Sequence, residues 1–287
     1  MSKSEISQRV FLVGCARSGT TLLQSLLAAH PEIASFPESS FFQNLFAHSE
    51  PKRKLLGLAS RRAKPRLRDF LTEIGHSETA ADISRFLLFP DQLTRRFIHI
   101  LDQLTVRENK TIWLEKTPTN LYFINYINQQ ADQPKFIHIV RNGEDVVASL
   151  FDVRKKYPKA WSLEPADIDL SIQRWVKDAG ISLTYLSEKN HIFVRYEALV
   201  KNPEYELKRI CNFLNLSFDS SVLKNYRVAS KVVSLSREPW KQTVGEAIRS
   251  KNSTKFYELF NQDEQNYIRE QVSKVDLSAF NQTFLPK

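Results

Sequence analysis

The residues best suited to chemistry open the first apolar run of the chain. In FLVGCARSGTTLLQSLLAAHP, four residues separate Gly14 from Gly19, and Thr20 and Thr21 follow directly. This is the nucleotide-binding spacing G-x-x-x-x-G-K-[ST] in all but the lysine, whose place Thr20 takes. A glycine-containing turn between strand and helix aims successive backbone N–H groups at an anion, and the helix dipole adds to the attraction. Arg17 supplies charge at the tip, while Ser18, Thr20 and Thr21 supply hydroxyls. The absent lysine is the group that reaches the outer phosphates of ATP or GTP. The loop therefore suits an anion with less charge than a magnesium-bound triphosphate.

A second anchor lies in FIHIVRNGEDVVASL, with Arg141 closing an apolar run and Ser149 eight residues on, inside the next helical pattern. A guanidinium there clamps a phosphate through its planar fork, and a serine on the adjoining helix adds a hydroxyl. The elements that must position these groups are short β-rich runs, each followed by a helical pattern: 9–14, 111–116, 135–141 and 191–197, with 32–38 as a fifth. Near-continuous apolar strands alternating with amphipathic helices predict an α/β fold, a buried parallel sheet flanked by helices on both faces. In such sheets ligands sit beyond the carboxyl ends of the strands. Residues 45–110 break the alternation and read as a helical insertion, with DISRFLLFPDQLTRRFIHILDQLTV as two helices around Pro90. Residues 154–165 read as a loop, and 261–275 as a helix with acidic residues in its first turn.

R-S-G-T-T-L-L followed by H-P resembles the 5′-phosphosulfate loop of the sulfotransferases, both the tyrosylprotein enzymes and the broad bacterial group. The resemblance covers most of the sheet scaffold and leaves out the insertion. It implies a P-loop NTPase-like fold in one domain spanning 1–287. It also implies 3′-phosphoadenosine 5′-phosphosulfate (PAPS) as donor, 3′-phosphoadenosine 5′-phosphate (PAP) as product, and no metal. Arg141 and Ser149 match the family's 3′-phosphate motif. Tyrosylprotein enzymes carry a further arginine twelve positions after the first, where this chain has Val153, with Arg154 next to it. Tyr196 in VRYEALVKNP matches a family position near the nucleotide, and residues 227–255, which lack clear periodicity and read as a lid or an ordered wrap, fall where the family closes over it. Ser236 and Lys241 are the contacts expected there, with Trp240 as an adenine cover.

Sulfuryl transfer needs a base for the acceptor proton, positive charge for the sulfonate and leaving phosphate, and in-line placement. Glu38 follows the second strand at the ligand edge, and lies 21 residues after Arg17, the separation at which tyrosylprotein enzymes hold their catalytic glutamate. It is the expected base. Glu32 precedes the same strand and belongs at the wrong end. Lys116 in WLEKTPTN ends the third strand and matches the family's K-x-P, whose lysine contacts the sulfonate and leaving oxygen. Pro118 then opens a helix with Thr117 as its cap, and Glu115 points to the other face. His30, in an H-P pair at the end of the first helix, reads as a helix stop. A magnesium-dependent kinase on a related fold and a non-catalytic nucleotide binder are the competing readings. The missing loop lysine opposes the first, and the presence of both Glu38 and Lys116 opposes the second.

Composition is that of an ordinary globular chain, with 287 residues, 42% hydrophobic and 25% charged. Six histidines at 30, 48, 76, 99, 138 and 191 show no metal-ligand spacing. Cys15 and Cys211 build no disulfide framework. No run approaches the roughly 18 apolar residues of a membrane helix, and the expectation is a soluble, cytoplasmic protein. The net charge of +9 favours an anionic partner. KRKLLGLASRRAKPRLR (52–68), with eight basic residues and no acid, nearly accounts for it. That stretch reads as an attractor for an acidic hydroxyl-bearing acceptor (a peptide, a polyanionic glycan or a carrier-bound acyl group), as a nucleic-acid or membrane surface, or as a solvated basic helix. Its lack of aromatics argues against single-stranded nucleic acid.

Overall fold

The computed structural model describes residues 5–161, 166–234 and 254–281. Strand β1 (Gln8–Gly14) leads into α1 (Thr20–Ala28) and β2 (Ile33–Ser35). The insertion comes next as α2 (Pro51–Leu55), α3 (Ala63–Glu73), α4 (Ser77–Ala81) and α5 (Pro90–Arg107). Then come β3 (Ile112–Lys116), a 3₁₀ turn over Pro118–Phe123, α6 (Ile124–Gln130), β4 (Lys135–Val140), α7 (Gly143–Lys156), α8 (Pro158–Trp161) and α9 (Ile168–Leu183). The chain continues through β5 (His191–Arg195), α10 (Tyr196–Lys201), α11 (Pro203–Phe213), α12 (Val222–Val232), α13 (Thr254–Leu259) and α14 (Gln262–Val272).

The five strands pair in parallel in the order β2-β3-β1-β4-β5. Side-chain alternation sends Phe11, Val13, Trp113 and Phe136 to one face, where they pack on Phe70, Phe97 and Leu101 of the insertion. Val10, Leu12, Leu114, Ile139 and Val194 go to the other, against α1, α11 and α12. Asp102 of α5 ties the insertion to the sheet: it accepts from Arg9 of β1 at 2.8 Å and from the Trp113 indole of β3 at 2.7 Å. The register aligns the strand ends, with Leu12 beside Lys116, Gly14 beside Ile139 and Val140 beside Arg195. The loops that leave the strands therefore gather along one edge of the sheet.

Four expectations need correction. Only the half of 82–106 that begins at Pro90 is α-helical. Pro90 is the first helical residue, Phe89 before it is extended (φ −99°, ψ 150°), and Gln92 Oε1 accepts from the Leu88 and Phe89 N–H groups. Residues 154–156 complete α7, where Arg154, Lys155 and Lys156 suit the negative end of the helix dipole, and 158–161 form α8. The second strand stops at Ser35, two residues before Pro37. Residues 227–232 are helical, since Val222, Tyr226 and Ser230 form the buried stripe of α12. The C-terminal helix has Asp263 and Glu264 in its first turn, as the sequence indicates, with Asn261 and Glu264 forming a capping box.

A buried histidine pair crosses β4 and β5. His138 Nε2 lies 2.8 Å from His191 Nδ1, and His138 Nδ1 lies 3.1 Å from the Ser182 hydroxyl. Burial holds His191 at about 4 and His138 well below the ordinary imidazole value. The unfolded chain binds these protons near pH 6.5 and the folded one does not. The stability this difference contributes is present above about pH 6.5 and is lost as pH falls toward 4. Urea midpoints should fall across that window with a contribution of up to about 1.4 kcal/mol per pH unit for each proton. A His138→Leu/His191→Leu variant should show a shallower slope. An unchanged slope would place the acid sensitivity elsewhere.

Candidate active site

The loop after β1 turns through left-handed backbone at Arg17 (φ 72°) and Gly19 (φ 94°). Gly19 is the residue before the first turn of α1, and its conformation suits glycine. A Cβ there would stand 2.4 Å from the Tyr196 ring, so the residue after β5 packs directly on the loop. Thr20 and Thr21 begin the helix, whose first N–H groups have no intrahelical acceptor. The Ser18 hydroxyl is buried and has no partner among the described residues.

Arg17 Nε donates to Ser149 Oγ at 3.2 Å, and its guanidinium stands 6.0 Å from the centre of the Trp161 ring. Burial first, then the like charge of Arg141, pull the Arg17 guanidinium below its ordinary value, while Asp152 and Glu38 act in the other direction. Arg141 lies over the Tyr196 ring at 4.4 Å, pairs with Asp145 at 3.2 Å, and donates to the Arg17 carbonyl at 3.5 Å. Its Nε is buried without a partner among the described residues. The Trp175 indole donates to the Arg141 carbonyl, and Asn142 caps α7 by accepting from the Glu144 N–H. Two crowded guanidinium groups, an orphaned buried hydroxyl and a helix N-terminus form a cradle for anionic oxygens. The cradle fits the phosphate and sulfonate groups of PAPS.

On the far side of β1, the Glu38 carboxylate forms an ion pair with Lys116 Nζ. The lysine side chain is 0% exposed and the glutamate 22%. Two clamps hold the loop carrying Glu38. Arg66 of α3 donates through Nε to the Ser39 carbonyl at 2.7 Å and through Nη2 to the Glu38 carbonyl at 3.3 Å, while paired with Glu73 at 3.1 Å. The second clamp is Glu115, buried at the end of β3. Its carboxylate accepts from Ser39 Oγ and Thr117 Oγ1, each at 2.7 Å, and from the Asn120 amide. Ser39 Oγ in turn accepts from the Phe41 N–H, and Thr117 Oγ1 from the Ser40 N–H. Burial raises the Glu115 carboxyl above its ordinary value, against these hydrogen bonds.

The residues expected from the sequence, Arg17, Ser18, Gly19, Thr20, Thr21, Arg141, Ser149 and Tyr196, lie in one neighbourhood, and Glu38 and Lys116 pair beside it. Ser236, Trp240 and Lys241 lie outside the described residues. Thr117 does not cap the turn after Pro118, because its hydroxyl serves Glu115. His30 is a helix-end residue, with Nδ1 accepting from the Glu32 N–H and Nε2 donating to the Ser217 carbonyl. Cys15 and Cys211 are buried free thiols. Sequence reading misses Arg66, Ser39 and Asn120. It puts Glu115 on the correct face without a role, although a carboxylate at an inward strand position is itself a signal for a buried network. Among the described residues no helix is long and apolar enough to cross a membrane, and no cluster of side chains could hold a metal ion.

A family profile described as the sulfotransferase family matches residues 9–220. A putative protein-tyrosine sulfotransferase of Caenorhabditis briggsae is 24% identical over 266 residues, covering 91% of this chain and 84% of that one. Three further protein-tyrosine sulfotransferases, from Caenorhabditis elegans, Danio rerio and Gallus gallus, are each 25% identical, and the chain spans 55% to 63% of their length. Among solved structures, the sulfotransferase domain of the Synechococcus PCC 7002 olefin synthase superposes with a TM-score of 0.62 at 20% identity, covering 95% of this chain and 97% of that one. A mouse sulfotransferase complexed with PAP superposes with a TM-score of 0.55 at 16% identity, covering 95% and 86%. The chain belongs to the sulfotransferase family, the enzymes that use PAPS as donor.

Proposed function

We propose that the protein transfers a sulfuryl group from PAPS to an acceptor hydroxyl, with Glu38 as general base. The observation that carries this reading is the Glu38–Lys116 pair at the same sheet edge as the Arg17 cradle. A base must reach the acceptor proton while cations meet the charge developing on the transferred group. When bound, PAPS supplies a sulfonate joined to a good leaving phosphate. The N–H groups at the start of α1, Ser18, Thr20 and Thr21 hold the 5′-phosphosulfate. Arg141, Ser149 and Tyr196 hold the 3′-phosphate side and exclude ATP, which lacks that phosphate. Glu38 takes the acceptor proton as the hydroxyl attacks sulfur. Arg17 and Lys116 steady the sulfonate and the phosphate that departs. Lys116 also orients the Glu38 carboxylate until the acceptor arrives.

The test is a binding titration of PAP against magnesium-ATP, followed by turnover with PAPS and a panel of hydroxyl acceptors. Tight PAP binding that is indifferent to a chelator supports the reading. Preference for magnesium-ATP would move the protein to the kinase class, and PAP binding without turnover on any acceptor would leave a nucleotide-binding member.

Glu115 is a positioning residue on this reading. Glu115→Ala strands Ser39, Thr117 and Asn120 together and releases the Glu38 loop. Turnover should fall about 10- to 100-fold and stability by about 2–4 kcal/mol, with PAP affinity unchanged. Glu115→Gln keeps an acceptor for Ser39 and Thr117 and should recover most of the rate. A Glu115→Ala enzyme with normal kcat would remove the clamp from the mechanism.

A further inference from the structure

The insertion has an outer face to which none of the catalytic and donor-binding roles above is assigned. Residues 50–89 hold nine lysines and arginines against five acids. Arg66 faces the Glu38 loop, but Arg53, Arg61, Lys64 and Arg68 line a cavity of about 260 Å³ floored by Leu87 and Leu88. The walls are one unit. The Ala59 N–H donates to the Leu88 carbonyl at 2.9 Å, Lys64 Nζ to the Arg85 carbonyl at 2.6 Å, and Arg68 to the Ile83 carbonyl at 2.8 Å. Burial, then the charges of Arg68 and Arg53, depress the Lys64 ammonium, as expected of crowded cations. Glu50 offsets part of the charge by pairing with Arg53 and Arg61 at 3.9 and 3.7 Å.

Beside this basic cavity, large apolar side chains stand in water. Leu55 is 87% exposed and Leu56 65%, at the end of α2 just before Gly57, which turns the chain through left-handed backbone (φ 64°). Phe86, which directly precedes Leu87 of the cavity lining, is 72% exposed, and Phe89 is 46% exposed. Leu55 and Leu56 directly follow Lys52, Arg53 and Lys54, and Arg85 precedes Phe86 with its guanidinium 5.0 Å from the ring.

We propose that this face docks on an anionic lipid bilayer, with Leu55, Leu56 and Phe86 entering the interface and the basic cavity taking a lipid headgroup phosphate. Charge complementarity selects an anionic surface. A partner protein needs shaped grooves to receive apolar anchors, whereas a bilayer accepts side chains that protrude from turns and pairs them with basic flanks. Nucleic acid buries apolar side chains only by unstacking its bases, which is costly. The inference is independent of the acceptor and of the roles given to Glu38 and Lys116.

The experiment is co-sedimentation of the full chain with pure phosphatidylcholine vesicles and with vesicles containing about one third phosphatidylglycerol. Binding is expected to the second and not the first, and to weaken steeply with salt. Lys64→Glu/Arg68→Glu and Leu55→Ser/Leu56→Ser should each weaken it at least about tenfold. Lys52→Glu/Lys54→Glu alters exposed charges and serves as the fold-safe counterpart, with the same direction expected. Absence of binding to the anionic vesicles at low salt would overturn the proposal. So would vesicle binding that ignores the leucines while soluble polyglutamate competes fully, which would assign the face to a soluble acidic partner.

Discussion

Glu38→Gln is expected to lower turnover by about 10²- to 10⁴-fold while leaving PAP affinity within a factor of about two. Glutamine keeps the shape of the side chain and an oxygen for Lys116, but it cannot take a proton. A loss of rate without a loss of donor binding is thus the mark of a base. A merely structural ion pair predicts the opposite outcome. Lys116 is wholly buried, and removing the charge opposite a buried ammonium costs about 3–5 kcal/mol where no other group compensates. A structural pair would therefore appear as a fall in thermal midpoint, with kcat close to wild type in the folded fraction. Both effects can coexist, so turnover should be measured at a temperature where circular dichroism shows the variant folded. A folded Glu38→Gln enzyme working within about threefold of wild type would remove Glu38 from the base role.

How much of this site the sequence discloses depends on the range of the interactions. The loop from Gly14 to Thr21 is legible because its backbone geometry is local: the glycines and hydroxyls that make an anion turn are neighbours in the chain. The sheet is legible because buried parallel strands are near-continuously apolar, as in Val10–Val13 and in Phe136–Val140, where only His138 breaks the run. Lys116 is legible as the end of a strand and Glu38 as a residue that follows one, and the parallel order of the strands then brings both to one edge. The clamps behind them are not. Arg66 reaches the Glu38 carbonyl across 28 residues, from a helix whose other basic residues face outward, and nothing in 52–68 distinguishes it from Lys64 or Arg68. The stripe of α12 escapes for a different reason. Its third member is Ser230, a polar residue buried by tertiary packing, so hydrophobic periodicity fades where the helix continues. The His138–His191 pair likewise depends on the β4–β5 register, which places His138 opposite Phe193 and one pleat from His191.

Arg141→Ala is expected to weaken PAP binding by about 2–4 kcal/mol, roughly 30- to 1000-fold, and to abolish any preference for PAP over ADP or ATP. The size reflects the surroundings. Arg141 is held between the Tyr196 ring, the Asp145 carboxylate and the Arg17 carbonyl, so its fork is oriented before a ligand binds and little rotamer freedom remains to be lost. Removing it deletes a charge-assisted contact and also leaves Asp145 facing the cradle, where a carboxylate repels phosphate. The two contributions separate in a double variant: Arg141→Ala/Asp145→Asn should recover part of the affinity, because the repulsion goes while the missing contact does not return. Arg141→Lys keeps the charge without the planar fork or its stacking on Tyr196, and should fall between the single variant and wild type. Full affinity in Arg141→Ala would mean that Arg17 and the helix N-terminus bind PAP without help from β4. The second anchor would then be no determinant of donor choice, and discrimination against ATP would have to come from the 5′ side, where the loop lacks its lysine.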